Sequence, residues 1–299
     1  MSKVLPIMIT TTSVSGSFPT LSPTQLSEKL FEGFPSLISE MKPEGGAPYL
    51  LCNEERQDKT LAALPKGTAQ DGGSVHLGFS VWFNLDLIAQ TKPSRAVICD
   101  IDPHVIELYK AFEQILERCD TPLDFADEMN RYILGKPFAY YDFKDELQRK
   151  GSWLSSQKSY VTVRQMCLEG RIYFGYLNLA DRGGLFDQIG KWLQRQNLYV
   201  QTLYISNIFV WLKKANMETL TQGSANIMKV VSHRTQTIHA FSAGGDEKNP
   251  LIQEVVSGDA AKGLADKIWN LKPAIPKPLS KRSELGDVSI PKFRFMDDE

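Results

Sequence analysis

An acidic residue at the end of a strand-like run is the feature of this sequence that most strongly indicates chemistry. Asp100 closes the apolar run Arg95–Asp100 and is followed by Ile101 and Asp102. It stands 22 residues after Gly78. In nucleotide-binding α/β folds, an acidic residue at an offset of about 20 accepts hydrogen bonds from ribose hydroxyls, and a carboxylate can accept both bonds of a vicinal diol. The spacing therefore predicts that Asp100 binds a ribose, with an ordinary strand-end residue as the alternative.

Two turns near Asp100 offer further polar groups. The run Ser74–Phe79 leads through Gly78 and Ser80 into a helix-like segment that carries Asn84. Nucleotide sites usually have several glycines in such a turn, whereas this one has Gly78 alone. Asp102, which directly precedes a proline, also fits the N-cap of the next helix. One glycine makes the turn a weak signal by itself.

These turns belong to a chain in which short β-type runs alternate with amphipathic helices from Ser74 to Phe241. The alternation predicts an α/β fold, a doubly wound and mostly parallel Rossmann-like sheet with covering helices. A helical insertion is expected over Thr121–Gly170. The segments Asn226–Ser232 and Gln236–Phe241 are expected to form a terminal strand pair.

The chain divides into three expected regions. These are an N-terminal arm and helix over residues 1–45, a Rossmann-like domain over 46–245, and a C-terminal helix with a Pro-rich tail over 246–299. Ser22-Pro23 predicts the start of a helix that continues to about Phe34. The first 20 residues and the Pro-rich tail lack the pattern of packed elements and are expected to be extended.

Composition and charge disfavour several classes of function. The 299 residues are 42% hydrophobic, and 34 Lys and Arg balance 35 Asp and Glu at a net charge of -1, so no basic field favours nucleic acid. The four cysteines are far apart and the histidines lack metal-ligand spacing, so no metal site is expected. No apolar run is long enough for a membrane span and the N-terminus is a poor signal peptide, so we expect a reduced, cytoplasmic protein.

Several of these segments resemble class I S-adenosylmethionine-dependent methyltransferases. Arg95–Tyr109 (RAVICDIDPHVIELY) is similar to the second strand and following turn of that family, Asn178–Asp181 to its adenine loop, and Ser206-Asn207 to its substrate loop. Together with Asn53-Glu54 and Phe83–Ala89, they also resemble a group of uncharacterised bacterial methyltransferase-like proteins. The likeness covers roughly residues 49–241. It departs from the family in the glycine turn, which is reduced to one glycine, and in the absence of an N-P-P-Y type motif.

The resemblance implies S-adenosylmethionine as the cofactor and methyl transfer to an unidentified small-molecule or protein acceptor. The cofactor itself supplies the activated methyl group, so the protein mainly has to align the attack and exclude water. The residues implied for the cofactor are Asp100 and Asp102 at the ribose, Asp181 at the adenine amino group, and Gly78, Ser80 and Asn84 at the methionine part. For Asn84, a solvent-facing helical position is the alternative.

Ser206, Asn207 and Glu54 are the candidate catalytic residues. Ser206-Asn207 is expected to position the acceptor, with a strand end and a helix N-cap as the equal alternative. Glu54 is expected to act as a general base or to contact a cationic amino group. Its alternative is an exposed loop carboxylate, the commoner role of Glu.

Three functions stay open: a methyltransferase, a non-catalytic binding protein that the reduced glycine turn favours, and a nicotinamide-dependent oxidoreductase. The oxidoreductase is disfavoured because the G-x-G-x-x-G motif is absent. Two structural features distinguish them. An antiparallel strand beside the last parallel strand favours the methyltransferase-type fold over a dehydrogenase. A groove above Gly78 that is filled by Phe79, Trp82 and Phe83 favours the non-catalytic protein.

Overall fold

The computed structural model describes residues 23–37, 52, 54–67, 73–80, 82–137, 139–242 and 250–270. Within them, one seven-stranded sheet is flanked by helices, which confirms the predicted mixed α/β, mostly parallel Rossmann-like fold. The expected N-terminal arm and the Pro-rich tail lie outside the described residues.

The strands are β1 (Glu54–Glu55), β2 (Ser74–Phe79), β3 (Arg95–Asp100), β4 (Ile172–Tyr176), β5 (Tyr199–Ser206), β6 (Gln236–Ser242) and β7 (Leu251–Ser257). Their order across the sheet is β1-β7-β6-β5-β2-β3-β4. Strands β2 to β6 are parallel, whereas β7 is antiparallel to β6.

The sheet reverses its direction of growth at β2. From β2 the chain adds β3 and β4 on one side, then returns to add β5 and β6 on the other. In open α/β sheets, ligands bind in the crevice beyond the carboxyl ends of the strands at such a switch point. The topology therefore predicts a ligand site at the carboxyl ends of β2 and β5.

The helices are α1 (Pro23–Leu30), α2 (Gln57–Ala63), α3 (Phe83–Thr91), α4 (Pro103–Arg118), α5 (Pro122–Ile133), α6 (Phe143–Gln148), α7 (Gln157–Leu168), α8 (Leu185–Arg195), α9 (Ile208–Ala215), α10 (Met217–Met228) and α11 (Leu264–Trp269). A 3₁₀ turn, Ala260–Gly263, precedes α11. Helices α5 to α7 form the predicted insertion. Helix α1 ends at Leu30, about one turn earlier than expected.

Local sequence explains where the helices of this region begin. Asp102 caps α4 by accepting a hydrogen bond from the His104 amide, and a proline occupies the first turn. Thr121 caps α5 in the same way, again before a proline. The N-cap that the sequence predicted for Asp102 is confirmed.

Apolar side chains on both faces of the sheet form the core. One cluster joins α3 and α4 to the helical insertion through Trp82, Phe112 and Trp153. A second packs the opposite face against α8 to α11 and includes Trp192 and Phe209. A third, smaller cluster of Leu61, Leu64, Phe83, Leu87, Tyr204 and Ile238 lies under the carboxyl ends of β2 and β5.

The end of the sheet differs from the expectation. Asn226–Met228 is the last part of α10, so the expected strand over 226–232 is wrong. The antiparallel partner of β6 is instead β7, which follows residue 245, where the sheet domain was expected to end. Strand β7 was missed because Gln253 and Glu254 form an adjacent polar pair within its apolar residues, which gives neither a continuous apolar run nor a strict alternation.

Candidate functional site

The turn between β2 and α3 forms one side of the switch point. Ser80 follows β2 with a positive φ of 68°, in the left-handed region that favours glycine. Its carbonyl accepts hydrogen bonds from Asn84 Nδ2 at 2.9 Å and from the Tyr109 hydroxyl at 3.0 Å. Its amide donates to the Cys99 carbonyl at 3.0 Å. These bonds hold a strained turn in which serine replaces the usual glycine.

A buried relay supports this turn from below. Asn84 Nδ2 also donates to the Phe79 carbonyl at 3.0 Å, so Asn84 Oδ1 acts as the acceptor toward His76 Nε2 at 2.9 Å. His76 Nδ1 then accepts from the Thr202 hydroxyl at 2.7 Å. Burial lowers the pKa of His76 to about 4, so the imidazole is neutral as this pattern requires. The relay links β5, β2 and α3.

Gly78 lies against the protein's own side chains. A Cβ at Gly78 would lie 1.7 Å from Asn84 Oδ1 and 2.7 Å from His76 Nε2. Glycine is therefore needed to make room for these side chains, and its approach to a cofactor stays a prediction. Asn84 is fully buried and bound to the turn, so the alternative of a solvent-facing Asn is wrong. Of the residues expected at the methionine part, Ser80 remains partly accessible.

The three aromatic residues of the turn do not fill a common groove. Phe79 packs against Phe186 in the second cluster, Trp82 packs in the first against Phe143, and Phe83 contacts Tyr204 in the third. Each is buried in the core. The side chain that occupies the space beside Gly78 is Asn84.

Asp100 ends β3 and lies beside the Ser80 turn, because Phe79 pairs with Cys99. The Asp102 amide donates to Asp100 Oδ1 at 2.9 Å. Burial, with a smaller contribution from the nearby Asp102 carboxylate, raises the pKa of Asp100 to about 7. Ile101, between the two carboxylates, exposes 57% of its surface. An apolar side chain thus lies in the open beside a half-buried carboxyl group.

Asp181 lies farther along the same edge, in the loop after β4. Its Oδ2 accepts from the Leu185 amide at 3.0 Å, at the start of α8. Its backbone carbonyl accepts from Asn226 Nδ2 at 2.7 Å. The Asp181 carboxylate therefore caps a helix, and its contact with an adenine stays a prediction.

The second side of the switch point is the end of β5. Ser206 has a positive φ of 50°, and the register between β5 and β6 shifts between Tyr204 and Ser206. Lys92 and Asn197 also have positive φ, but they follow the ends of α3 and α8, where this conformation is common. The two strands that border the crevice thus each end in a serine with a strained backbone, a feature that clusters at functional sites.

Glu54 meets the end of β5 and is buried, with 5% of its surface exposed, so the alternative of an exposed loop carboxylate is wrong. Its Oε1 accepts a hydrogen bond from Ser206 Oγ. Its Oε2 accepts from the Tyr204 hydroxyl at 2.8 Å and from Gln253 Nε2 at 2.5 Å, and the Cys52 thiol lies 3.5 Å away. We call these five residues the carboxylate cluster. Three parts of the chain meet in it: the N-terminal segment, β5 and β7.

The expected catalytic residues are thus brought together. Ser206 bonds to Glu54, and Asn207 Oδ1 lies 3.5 Å from Ser206 Oγ. Asn207 precedes α9, but its side chain forms no cap hydrogen bond, so the N-cap alternative is wrong for its side chain. Gln57 Nε2 anchors the N-terminal segment by donating to the Cys52 and Glu54 carbonyls at 2.9 and 3.1 Å.

Sequence reasoning missed three members of the carboxylate cluster, Cys52, Tyr204 and Gln253. Burial and the nearby thiol and carboxylate raise the pKa of Tyr204 well above its usual value, so the phenol remains a donor. Burial, with the Glu54 charge, raises the pKa of Cys52 in the same direction. Gln253 belongs to the strand that was not predicted. A polar residue between Leu251 and Val255 on one face of that strand is the signal that could have revealed it.

The two groups of residues lie on either side of β2, which pairs with β3 and β5. At about 4.8 Å per strand, the ends of β3 and β5 are roughly 10 Å apart. Among the described residues, no group of three or more His, Cys, Asp or Glu side chains is arranged to hold a metal ion. No helix in that part of the chain is long and apolar enough to cross a membrane.

Comparison with known proteins identifies a family. A family model described as "Domain of unknown function (DUF7790)" matches residues 49–132 and 131–232. No curated protein matches the sequence. Among solved structures, the chain is similar to the rRNA methyltransferase aviRa from Streptomyces viridochromogenes, at 11% identity and a TM-score of 0.33, over 70% of this chain and 81% of that one.

Proposed function

Because this chain belongs to the DUF7790 family, whose description names no reaction, we propose its function from the site: an S-adenosylmethionine-dependent methyltransferase. The observation that carries the proposal is the antiparallel strand β7, which pairs with β6 next to the parallel strands β2 to β6 and lies between β6 and the edge strand β1. That arrangement favours a methyltransferase-type fold over a dehydrogenase. The acceptor is a small molecule or a protein.

The polar groups at the β3 end suit an adenosyl cofactor. Asp100 would hold the ribose, and the exposed Ile101 beside it offers an apolar surface to a flat base. Asp102 fixes the start of α4, and its backbone amide donates a hydrogen bond to Asp100. It would therefore orient the Asp100 carboxylate toward the ribose. Asp181 would accept the adenine amino group, and the Ser80 turn would lie along the methionine part.

The group at the β5 end suits the acceptor. Glu54, Ser206 and Asn207 present polar atoms on the other side of the β2 turn from Asp100. The bound cofactor would supply the activated methyl group, so the residues here need to orient the nucleophile and exclude water. Their backbone is held by a strained turn and a register shift, which fixes their positions.

The thiols support a proposal for the cellular setting. Cys99, Cys119 and Cys167 are buried and unpaired. Unpaired cysteines are typical of a reducing compartment, so we propose a cytoplasmic protein, bacterial like the proteins that its motifs resemble.

A specific observation favours a second candidate, a non-catalytic binding protein. The space beside Gly78 is filled by Asn84, and the carbonyls of Phe79 and Ser80 are bound within the protein. A turn whose polar groups are satisfied internally has fewer to offer a cofactor. The two candidates therefore differ in whether the β2 end accepts an adenosyl group.

Calorimetric titration with S-adenosylmethionine, S-adenosylhomocysteine and NAD decides between them. We expect micromolar binding of the sulfur nucleosides, no binding of NAD, and a loss of roughly tenfold to hundredfold in affinity for Asp100→Ala. Glu107→Ala, an exposed carboxylate on α4, is the matched control. Absence of binding by all three ligands would make the non-catalytic protein the better description.

A further inference from the structure

The carboxylate cluster surrounds a buried acidic side chain, Glu54, that has no cationic partner among the described residues. The four side chains that surround the Glu54 carboxylate, from Ser206, Tyr204, Gln253 and Cys52, are neutral hydrogen-bond donors. Each of the four directs a hydrogen-bond donor at the carboxylate, and such bonds favour the charged form of a carboxyl group. Within the described part of the chain, no Lys, Arg or His side chain pairs with Glu54. The end of β5 therefore has a negative potential.

After the hydrogen bonds to Glu54 are formed, the polar atoms that remain available in and next to the cluster are acceptors. The Ser206 hydroxyl gives its proton to Glu54, so its lone pairs are directed elsewhere. Gln253 gives its amide nitrogen to Glu54, and its Oε1 is buried with no partner, in a residue that is 4% exposed. A buried polar atom without a partner is uncommon and points to a missing ligand or water. Asn207 Oδ1 adds a further acceptor next to Ser206.

We propose that the carboxylate cluster binds an amino group, and that the methyl acceptor of this protein is therefore an amine that carries at least one N–H. The inference deepens the proposed function and rests on it. A negative field with surplus acceptors selects a group that donates hydrogen bonds and gains positive charge. Phenolates, thiolates, carboxylates and phosphates are repelled by the Glu54 charge and offer no proton to Ser206, Asn207 or Gln253.

The charge balance of methyl transfer agrees with this choice. The lone pair of a neutral amine forms the N–C bond while the C–S bond breaks, and the electron pair of that bond passes to sulfur. The sulfonium loses its positive charge and the nitrogen gains it; the amine then releases one proton to water. A fixed anion near the nitrogen stabilises the charge as it develops. Glu54 acts as a positioning residue and counter-charge, because it is buried and its carboxylate already accepts hydrogen bonds from Ser206, Tyr204 and Gln253.

Sinefungin is the probe that tests the proposal, because it carries an amino group where S-adenosylmethionine carries its methyl. The ratio of its affinity to that of S-adenosylhomocysteine measures how much the carboxylate cluster contributes to the binding of an amino group. We expect the wild-type protein to bind sinefungin roughly tenfold to hundredfold more tightly. Glu54→Gln should remove this preference, and Ser206→Ala should reduce it. Glu55→Gln, which removes an exposed charge one residue away, should keep it.

Each outcome of the titration has one meaning. Equal affinities in the wild type, or a preference that survives Glu54→Gln, would overturn the inference while leaving the cofactor assignment intact. Failure of the wild type to bind either nucleoside would overturn the proposed function and the inference together. If Glu54→Gln loses S-adenosylhomocysteine affinity as well, its effect is not specific to the amine, and Ser206→Ala with Gln253→Leu then decides. Those two variants must lower the ratio without changing S-adenosylhomocysteine affinity.

Discussion

Replacing Gly78 with alanine tests whether this glycine serves the protein's own packing. The added Cβ would lie 1.7 Å from Asn84 Oδ1 and 2.6 Å from Asn84 Cγ. Since such contacts need more than 3 Å, the amide must move by more than 1 Å. The move breaks the bonds of Asn84 to His76, Phe79 and Ser80, all within 3.0 Å. At about 1 kcal/mol for each of the three bonds and 1–3 kcal/mol for overpacking, we expect a loss of about 4–6 kcal/mol.

A double-mutant cycle isolates the cause. Asn84→Ala alone should cost about 3 kcal/mol, because it leaves the buried His76 Nε2–H without an acceptor. In the double variant the Gly78 methyl enters space that Asn84 has vacated, so the two losses should not add, with a coupling of about 2 kcal/mol. The free energy of unfolding in urea, followed by tryptophan fluorescence, measures each corner. Gly263→Ala is the control, because nothing lies within 4 Å of its added Cβ.

Two results would refute this reasoning. One is a Gly78→Ala variant that is as stable as the wild type and has lost only nucleoside affinity, because the glycine would then serve a ligand after all. The other is a strictly additive cycle, which would mean that Gly78 and Asn84 do not share the space between them.

Three further predictions concern buried ionisable groups. Because the folded protein holds the pKa of Asp100 at about 7, above its unfolded value, it binds the proton more tightly than the unfolded chain. Stability should therefore fall from pH 4 to 7, by at most about 1.4 kcal/mol per pH unit, and Asp100→Asn should remove this component of the slope in urea titrations. The pKa of His76 is instead lowered to about 4, so its contribution to stability is lost as the pH falls from 6.5 to 4; His76→Gln should flatten that acid limb, and an unchanged limb would count against a neutral buried imidazole. Arg149 lies 2.6 Å from the fully buried carboxylate of Asp86. Arg149→Met should cost about 3–5 kcal/mol in thermal or urea unfolding, and adding Asp86→Asn should recover part of it, since a buried charge without a partner is the main penalty.

Most of the sheet could be predicted because its strands and helices have clear local patterns. The apolar run of β3, the proline after Asp102 and the stripe of α4 each indicate one structure. Strand β7 has no such pattern. Its buried face includes Gln253, which is tolerated there because its amide nitrogen bonds to Glu54, 199 residues away in sequence. A polar residue whose partner is distant in sequence leaves no periodic signal.

The candidate site shows the same division. Glu54 and Ser206 could each be selected from their positions next to apolar runs. Their contact spans 152 residues and joins β1 to β5, two strands that are not neighbours in the sheet, so no local pattern indicates it. Asp100 could be placed at a strand end, whereas the pKa near 7 depends on burial by parts of the chain distant in sequence. Gly78 was selected as a cofactor contact, and the structure adds a packing reason for glycine at this position. A glycine in the sequence does not reveal that the Asn84 and His76 side chains occupy the space where its Cβ would lie.

The structure weakens the argument that the reduced glycine turn indicates lost function. Glycines in such turns supply positive φ and close backbone approach. Here Ser80 adopts a φ of 68° itself, and the Asn84 and Tyr109 bonds to its carbonyl stabilise that conformation. The backbone shape is therefore kept without glycine, through a relay that reaches Thr202 in the neighbouring strand. Non-glycine residues hold such conformations only where the surroundings fix them, at a cost of about 1–3 kcal/mol each. That Ser80 and Ser206 do so at the ends of the two strands bordering the switch point favours selection for a site there over the decay of one.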